Sequence, residues 1–328
     1  MKTQASRARA GRWCGLALAV LATAPGAPAQ TVGGGFAEIT VTGERPGPEM
    51  WRVSKGDHTL WLLGVLDPLP KRMTWRSAKV ESIVASAELV LPARPSVTTA
   101  AGPFALIALY FDWRRTQRLP GETTLRDQVP GPLYARFAAL CRQFGLHESG
   151  LEHLRPIVAA QKLYERALAD SGLNSNGEVD RIVRSIAHRH HVPVRESVIR
   201  VEDPKGLLAE LRGVPVSAEL KCFEATVARL ETDLPAMRNR ASAWAVGDVD
   251  ALRRLPAASQ RATCWELVDL SPRLRVLADA ARQERLRVAD ETLATHRSAF
   301  AMAPIDQLLA PDGLLATFRA RGYQVDGP

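Results

Sequence analysis

The chain has 328 residues, of which 46% are hydrophobic and 24% are charged. These fractions are ordinary for a globular protein, so a largely disordered or collagen-like chain is excluded. At roughly 150 residues per domain, the length suits one large domain or two small ones. The formal net charge is +8 at pH 7. Whether this charge indicates a nucleic-acid partner depends on how it is distributed along the chain.

The first 29 residues have the organisation of a secretory signal peptide. Four basic residues and no acidic ones accompany a short apolar run that begins at Cys14. Ala27-Pro28-Ala29 then supplies the small residues that precede a cleavage site. The apolar run is about half of the 20 residues that a membrane span needs. We therefore predict a signal peptide over residues 1–29, a periplasmic or secreted protein, and no transmembrane segment after cleavage.

The remaining charge argues against a nucleic-acid partner. Four positive charges lie in the predicted signal peptide, so the rest of the chain carries +4, dispersed along its length. A nucleic-acid-binding protein concentrates its basic residues on one surface. The basic pairs Lys71-Arg72 and Arg114-Arg115 are either solvated faces or the rim of a pocket for an anionic ligand, such as an acidic polysaccharide. We expect the partner to be an envelope ligand or protein that the sequence does not identify.

Residues 30–49 are rich in glycine and proline, which is typical of a flexible arm. A short strand is possible within this arm, at residues 38–42. Ordered structure is expected to begin near Trp51, so we place a single domain at residues 50–328.

The first elements of this domain are predicted to be β-strands. The β-prone runs at residues 51–53 and 58–63 are separated by Ser54-Lys-Gly-Asp57 and predict a hairpin. A helix is then predicted from Trp75, because its apolar residues recur at helical spacing. Leu89-Val90-Leu91 is typical of a buried strand and is followed by a proline.

The middle of the chain is predicted to be mostly helical. From about residue 102 to 190, apolar residues recur three and four positions apart, most clearly at Val179, Ile182, Val183 and Ile186. Residues 192–195 are the next strand candidate. A second helical block runs from about 203 to 295, and Ser271-Pro272 opens its longest helix with an N-cap and an N1 proline.

The end of the chain returns to strands. We predict a strand at residues 298–302, a helix at 313–321 and a last strand around 323–325. Strands at both ends that enclose long helical stretches favour an α/β fold. The prediction is a central mixed sheet built from both chain ends, flanked by helices, with a large helical insertion.

Three cysteines lie beyond the predicted signal peptide. Cys141 shares a helical stripe with large apolar residues, which predicts a buried position. Cys222 and Cys264 fall in two predicted helices that a proline and a glycine separate, so the chain can fold back and bring them together. An oxidising compartment permits a disulfide. We predict a Cys222–Cys264 bridge with a structural role, because the sequence has no Cys-x-x-Cys motif.

Several short motifs follow one another along the chain. Leu62-Leu63-Gly64 comes after the predicted hairpin and is followed by Pro68-Leu69-Pro70, and Pro193-Val194-Arg195-Glu196 comes later. Further motifs lie at 243–244, 247–248, 311–315 and 321–325. Taken in order, these motifs resemble the TraB/GumN family over roughly residues 50–326: the first pair resembles its opening, and 193–196 resembles its strand that ends in a glutamate.

The resemblance implies a hydrolase, and animal relatives of the Tiki type are described as metal-dependent proteases. The site implied for the family has two Gly-x-x-His motifs, one near each end of the chain, and a glutamate after a strand. Imidazoles would ligate a divalent metal ion, and the carboxylate would complete the ligand set or act as base on a bound water.

This sequence departs from that pattern at all three places. The first motif reads Gly64-Val65-Leu66-Asp67, with aspartate in place of histidine. The position of the glutamate after the strand at 89–91 is taken by Pro92, which has no ligating side chain. The second motif reads Ala303-Pro304-Ile305-Asp306, or places Gln307 at the histidine if no insertion is allowed.

Two interpretations of function follow from these departures. In the first, the protein kept the fold, lost the metal-dependent chemistry and acts without a cofactor as a binding or accessory protein, a pseudoenzyme. In the alternative it is an active, peptidase-like hydrolase in which Asp67 and Glu196 are the catalytic residues. A divalent metal is then optional, and carboxylates favour Mg²⁺, Ca²⁺ or Mn²⁺ over zinc. The residues predicted to line the same pocket are Gly64, Pro92, His296, Asp306 and Gln307.

One histidine cluster, His188-Arg189-His190-His191, allows two interpretations. A turn could bring His188 and His191 together around a metal ion. Alternatively, these residues end a helix, where positive groups interact favourably with the negative end of the helix dipole. We favour the second interpretation.

Overall fold

The structure is a computed structural model that describes residues 47–75, 78–255, 264 and 266–328. The predicted signal peptide, most of the predicted arm and the strand candidate at 38–42 lie outside the described residues. Within the described residues, no helix has both the length and the apolar character that crossing a membrane requires.

A five-stranded mixed sheet is built from both ends of the described chain, as predicted. The hairpin strands β1 (Met50–Lys55) and β2 (His58–Val65) are antiparallel. β2 pairs in parallel with a strand from near the C-terminus, which in turn pairs in parallel with the short strand after the first helix. The spatial order is β4 (Leu89–Leu91), β8 (Ser298–Pro304), β2, β1 and β9 (Gln324–Asp326).

Two smaller sheets link the loops around this central sheet. The strands β3 (Leu69–Pro70) and β6 (Leu173–Asn174) are antiparallel. The strands β5 (Ser96–Thr98) and β7 (Val198–Arg200) are parallel. β3 and β5 follow the carboxyl ends of β2 and β4, so both small sheets lie on the side of the molecule where those two strands end.

The helices of the described residues fill the long middle of the chain and its C-terminal end. Short 3₁₀ turns lie at Glu148–Gly150 and Val268–Leu270. The helices are α1 (Ala78–Ser86), α2 (Pro103–Thr116), α3 (Leu125–Gln128), α4 (Gly131–Gln143), α5 (Pro156–Asp170), α6 (Glu178–Arg189), α7 (Pro204–Gly213), α8 (Val216–Thr232), α9 (Leu234–Ala245), α10 (Val249–Arg254), α11 (Pro272–Thr295), α12 (Ile305–Leu309) and α13 (Leu314–Ala320).

The buried residues form two large clusters. One surrounds the central sheet and takes residues from α1, α6, α9, α11, α12 and α13. The other lies within the helical middle of the chain and takes its residues mainly from α4, α5 and α8. Cys141, in α4, is fully buried in the second cluster, as predicted. The mixed α/β class and the helical insertion are therefore confirmed.

Local sequence signals explain where several elements begin. Ser271 accepts a hydrogen bond from the backbone N–H of Leu274 at 3.2 Å, which confirms the predicted cap of α11. The turn between β1 and β2 contains Gly56 with φ of +62°, a conformation that glycine adopts without strain. Trp75, where a helix was predicted to begin, is not helical; its ring packs edge-on against that of Trp244.

The strand predicted at residues 192–195 is reduced to a single bridge. Val194 pairs with Val90 of β4, through hydrogen bonds from Val90 to Pro193 and from Arg195 to Val90. Pro193 has no N–H to donate, which limits how far this ladder extends. The strand itself forms at β7, three residues after Arg195.

Candidate functional site

Two aspartates lie at the same edge of the central sheet. The last paired residues of β2 and β8 are Val65 and Pro304. Asp67 and Asp306 each follow two residues later, and the carboxyl ends of neighbouring parallel strands meet at one edge. Both aspartates line a cavity of about 710 Å³. The register of the sheet therefore brings together two of the predicted site residues from opposite ends of the chain.

The cavity extends from this sheet edge into the helical middle of the chain. Its lining includes residues of α5, α8 and α9 and of the segment around β6. The charged lining is nearly balanced, with four basic and three acidic side chains: Lys71, Arg94, Arg229 and Arg240, and Asp67, Glu165 and Asp306.

Asp67 forms an ion pair with Arg94. The Arg94 Nη2 lies 2.8 Å from Asp67 Oδ2, and the Asp67 side chain is only 18% exposed. Arg94 follows β4, which is parallel to β8, so it too comes from the carboxyl end of a strand. The same topological rule therefore places the carboxylate and its cation side by side.

Asp306 forms a second ion pair, with the buried Arg240 of α9. Arg240 Nη2 donates to Asp306 Oδ1 at 2.7 Å. Its Nη1 also donates to the carbonyl oxygens of Leu252 and Leu255, at 3.0 and 2.9 Å. Three acceptors hold this guanidinium in one orientation, and a buried charge needs such partners to offset its lost hydration.

The rest of the cavity lining includes an aromatic ring, two further cations and a disulfide. The Arg229 guanidinium lies 5.8 Å from the centre of the Tyr164 ring. Lys71 Nζ donates to the carbonyl oxygen of Ala169 at 2.8 Å. Cys222 and Cys264 also line the cavity, and their disulfide confirms the predicted pairing. The bridge therefore forms part of the cavity wall.

Gly64 supports the site without being part of the cavity lining. A Cβ at this position would lie 2.2 Å from the Cδ1 of Ile305 in α12. Its carbonyl oxygen accepts a 2.7 Å hydrogen bond from the Trp244 indole. Close packing therefore requires glycine here, and the Ala243-Trp244 motif noted in the sequence has a structural explanation.

Glu196 lies outside the cavity lining. Its carboxylate accepts from Arg184 Nη1 at 2.9 Å and also from the Ser96 hydroxyl. Glu196 therefore links Arg184 of α6 to Ser96 of β5. Arg184 also donates to Asp180 within α6, at 2.6 Å. Glu196 is therefore not among the residues that line the cavity with Asp67, its predicted catalytic partner.

The other predicted lining residues have separate surroundings. Pro92 borders a small second cavity beside α11, and Gln307 accepts a hydrogen bond from Arg285. Of the two alternatives for the second motif, only Asp306 lines the large cavity. His296 caps the end of α11, with Nδ1 2.8 Å from the Thr295 hydroxyl. His296 precedes β8, so it lies at the amino end of that strand, whereas Asp306 lies beyond its carboxyl end.

The described residues do not fit the metal site that the family resemblance implies. Among them, no group of three or more His, Cys, Asp or Glu side chains is arranged to hold an ion. Asp67 and Asp306 offer only two carboxylates, each engaged by a guanidinium, whereas oxygen-liganded divalent ions take six or more ligands. The histidine cluster at 188–191 lies at the end of α6, as in the second interpretation, with His188 and Arg189 in the last turn of the helix. Arg189 and His190 contact Glu81, and both lower the pKa of that carboxyl group.

Sequence reasoning missed Arg94 and Arg240. Arginine is common on protein surfaces, and neither residue belongs to a recognised motif. The only available signal was positional, since Arg94 follows a predicted buried strand by three residues.

The fold and this sheet edge define an α/β protein whose candidate site is formed where parallel strands end. The profile of the TraB/PrgY/gumN family matches residues 49–327, and the chain belongs to this family. Neither the curated proteins nor the solved structures include a significant match to the chain.

Proposed function

We propose that this protein is an exported envelope protein that binds a small polar ligand in the Asp67–Asp306 cavity and has lost metal-dependent hydrolysis. One observation supports this most strongly. The two carboxylates that stand where the family resemblance implies histidines each hold an arginine side chain. Export rests on the predicted signal peptide alone.

The two ion pairs oppose cation binding for an electrostatic reason. A carboxylate that accepts hydrogen bonds from a guanidinium has fewer lone pairs to offer a metal ion. A divalent ion between Asp67 and Asp306 would also approach the positive charges of Arg94 and Arg240. Arg240 is buried and held by two carbonyl oxygens, so it is poorly placed to move aside.

The lining favours a hydroxylated, anionic ligand such as an acidic sugar. Side-chain amides of Gln161, Asn174 and Asn176 line the cavity beside the hydroxyl of Ser175. Amides and hydroxyls can pair with ligand hydroxyl groups, and Lys71 supplies a positive charge for a carboxylate. The volume of about 710 Å³ lies within the usual range for small-molecule sites.

The loss of hydrolysis is tested by metal content and activity together. We expect the purified protein to hold no stoichiometric divalent metal, and Mg²⁺, Ca²⁺ or Mn²⁺ to produce no peptide hydrolysis. Stoichiometric metal, or hydrolysis that Asp67→Asn abolishes, would establish the alternative of an active hydrolase. Glu196→Gln then shows whether the second predicted catalytic residue takes part.

Ligand binding is tested with oligomers of glucuronic acid. We expect them to raise the melting temperature of the wild-type protein, because binding to the native state alone stabilises it. Lys71→Gln should weaken binding roughly tenfold, the typical worth of one charge-assisted hydrogen bond. Lys79→Gln is the matched control, since Lys79 pairs with Glu49 and is not among the cavity-lining residues. Equal weakening by both variants would contradict the assignment of the cavity.

A further inference from the structure

Helix α2 exposes an unusual amount of apolar surface. Phe104 is 87% exposed, and Ile107, Tyr110, Phe111 and Trp113 are each about half exposed or more. Thr116 is the one buried residue of this helix. Monomeric soluble proteins rarely leave contiguous apolar patches of this kind uncovered, and such patches mark interaction sites.

The exposed surface continues beyond the helix. Residues 96–111 contain no charged side chain. This uncharged segment comprises β5, the following loop and the first nine residues of α2. Val97 of β5 and Val198 of the paired strand β7 are also exposed. The apolar surface therefore includes both strands of a small sheet and the helix that follows one of them.

Residue types are ordered along the axis of α2. Phe104, Leu106 and Ile107 occupy its first half, the aromatic residues Tyr110, Phe111 and Trp113 follow, and Arg114 and Arg115 lie in its last turn. Aliphatic and phenyl groups partition into acyl chains, whereas tyrosine and tryptophan prefer the interface with water. Arginine then reaches the phosphate groups of lipids. This is the order of environments met from the interior of a lipid leaflet outwards.

The charge at the end of α2 complements an anionic surface. Residues 112–118 include three arginines and a single acidic residue, Asp112, which pairs with Arg115 at 3.5 Å. Anionic lipids attract such juxtamembrane basic residues. A fourteen-residue helix is about 21 Å long, shorter than the ~30 Å hydrocarbon core, so it can reach one leaflet but cannot span the bilayer.

We propose that the uncharged segment and the arginines after it dock this protein peripherally on an anionic lipid bilayer. Phe104 and Ile107 enter the acyl region, Tyr110 and Trp113 lie at the headgroups, and Arg114 and Arg115 contact lipid phosphates. A second copy of the chain is a poorer occupant. The exposed apolar residues occupy one side of α2, whose other side carries the less exposed residues 105, 109, 112 and 116. They are followed by arginines that complement lipid phosphates, whereas the same segment of a second copy would bring the same arginines and only Asp112 as an acidic partner. This docking is independent of the ligand proposed for the cavity.

The test is co-sedimentation of the purified protein without its predicted signal peptide, residues 30–328, with vesicles of phosphatidylglycerol and phosphatidylcholine in equal parts. We expect the wild-type protein to bind, and Phe104→Ser with Ile107→Ser to lower its partitioning at least about tenfold. Arg114→Gln with Arg115→Gln should lower it by about fivefold per arginine. That second effect should disappear on pure phosphatidylcholine. Val276→Ser is the matched control, because Val276 is 66% exposed on α11.

Two results would overturn the proposal. One is equal vesicle binding by the wild-type protein and the Phe104/Ile107 variant, which would place membrane affinity elsewhere in the chain. The other is a dimer in sedimentation velocity that these same substitutions abolish, with no vesicle binding by the wild-type protein. A second copy would then be the partner of α2. The substituted residues are exposed, so circular dichroism should show an unchanged fold in every variant.

Discussion

The sheet region and the helical middle of this protein are held together in different ways. The sheet joins residues near both ends of the described chain through backbone hydrogen bonds around an apolar core. The helical region has its own apolar core, but it also contains a buried ion pair and a disulfide. Arg155 donates to Glu219 at 2.6 Å, and both side chains are almost completely buried.

The two regions therefore contribute to the cavity in different ways. Strand register positions Asp67 and Asp306, and backbone pairing does not depend on the identity of either side chain. The helices supply the other walls of the cavity, where specific cross-links between side chains set the spacing. Substitutions in the helical region should therefore act through a few strong interactions, whereas those in the sheet should act through close packing.

The largest effect is expected from breaking the covalent link. Cys222→Ser with Cys264→Ser opens a 42-residue loop, which should lower the free energy of unfolding by about 4 kcal/mol through added entropy of the unfolded chain. Urea denaturation measures the loss. Cys141→Ser is the control for loss of a thiol alone, and a double variant as stable as the wild-type protein would contradict the prediction.

Arg155→Met should destabilise the helical region by about 3 kcal/mol, because it leaves Glu219 buried without its cation. Burial already raises the pKa of Glu219, and Arg155 opposes that rise. The double variant Arg155→Met with Glu219→Leu should recover most of the loss, since neither charge then remains buried. Failure of the second substitution to restore stability in urea denaturation would show that Arg155 acts through its bonds to the carbonyl oxygens of Arg212 and Val214.

Gly64→Ala probes the close packing of the sheet region. The added methyl group would overlap the end of the Ile305 side chain, and overpacking of this kind typically costs about 2 kcal/mol. Gly213→Ala is the control, because a Cβ there meets no atom within 4 Å. Thermal unfolding of both variants measures the difference. Adding Ile305→Val to Gly64→Ala should restore part of the lost stability, and no recovery would place the strain elsewhere.

The smallest effect concerns Cys141 and depends on pH. Burial raises the pKa of this thiol from 9.0 to about 12. The unfolded chain therefore loses the proton first as pH rises, so stability is fully present below about pH 9 and is lost progressively up to pH 12. Between pH 8 and pH 10 the wild-type protein should lose about 1 kcal/mol more than Cys141→Ala. Equal losses in urea denaturation would mean that the thiol titrates normally in the native state.

Strong local periodicity explains which parts of the fold could be predicted. The hairpin, the buried strand at 89–91, α6 and the cap of α11 follow from alternation, helical spacing and capping residues. Residues 192–195 misled the prediction because Val192 and Val194 favour strands while Pro193 cannot donate. Glu196 consequently looked like a strand-end residue, although it lies in the connection to β7 and faces α6.

The candidate site was predictable only in part. Asp67 and Asp306 each closely follow a recognisable strand, so their convergence follows once the two strands are neighbours. The pairing of Asp67 with Arg94 and of Asp306 with Arg240 depends on tertiary positions that no local pattern encodes. Arg240 lies in α9, 66 residues before Asp306, and a single arginine in a helix is typical of an exposed position.

The parallel pairing of β2 with β8 also constrains how the protein assembles. Asp67 and Asp306 are 239 residues apart. During synthesis at about 5–20 residues per second, the β1–β2 hairpin precedes β8 by roughly 10–50 s. For that interval the β8-facing edge of β2, a strand with three leucines and one valine, has no partner. Long-range parallel contacts of this kind form slowly, and an open strand edge can pair with another chain. We therefore expect the cavity to form late in folding, and the hairpin without its β8 partner to be the intermediate most prone to aggregation.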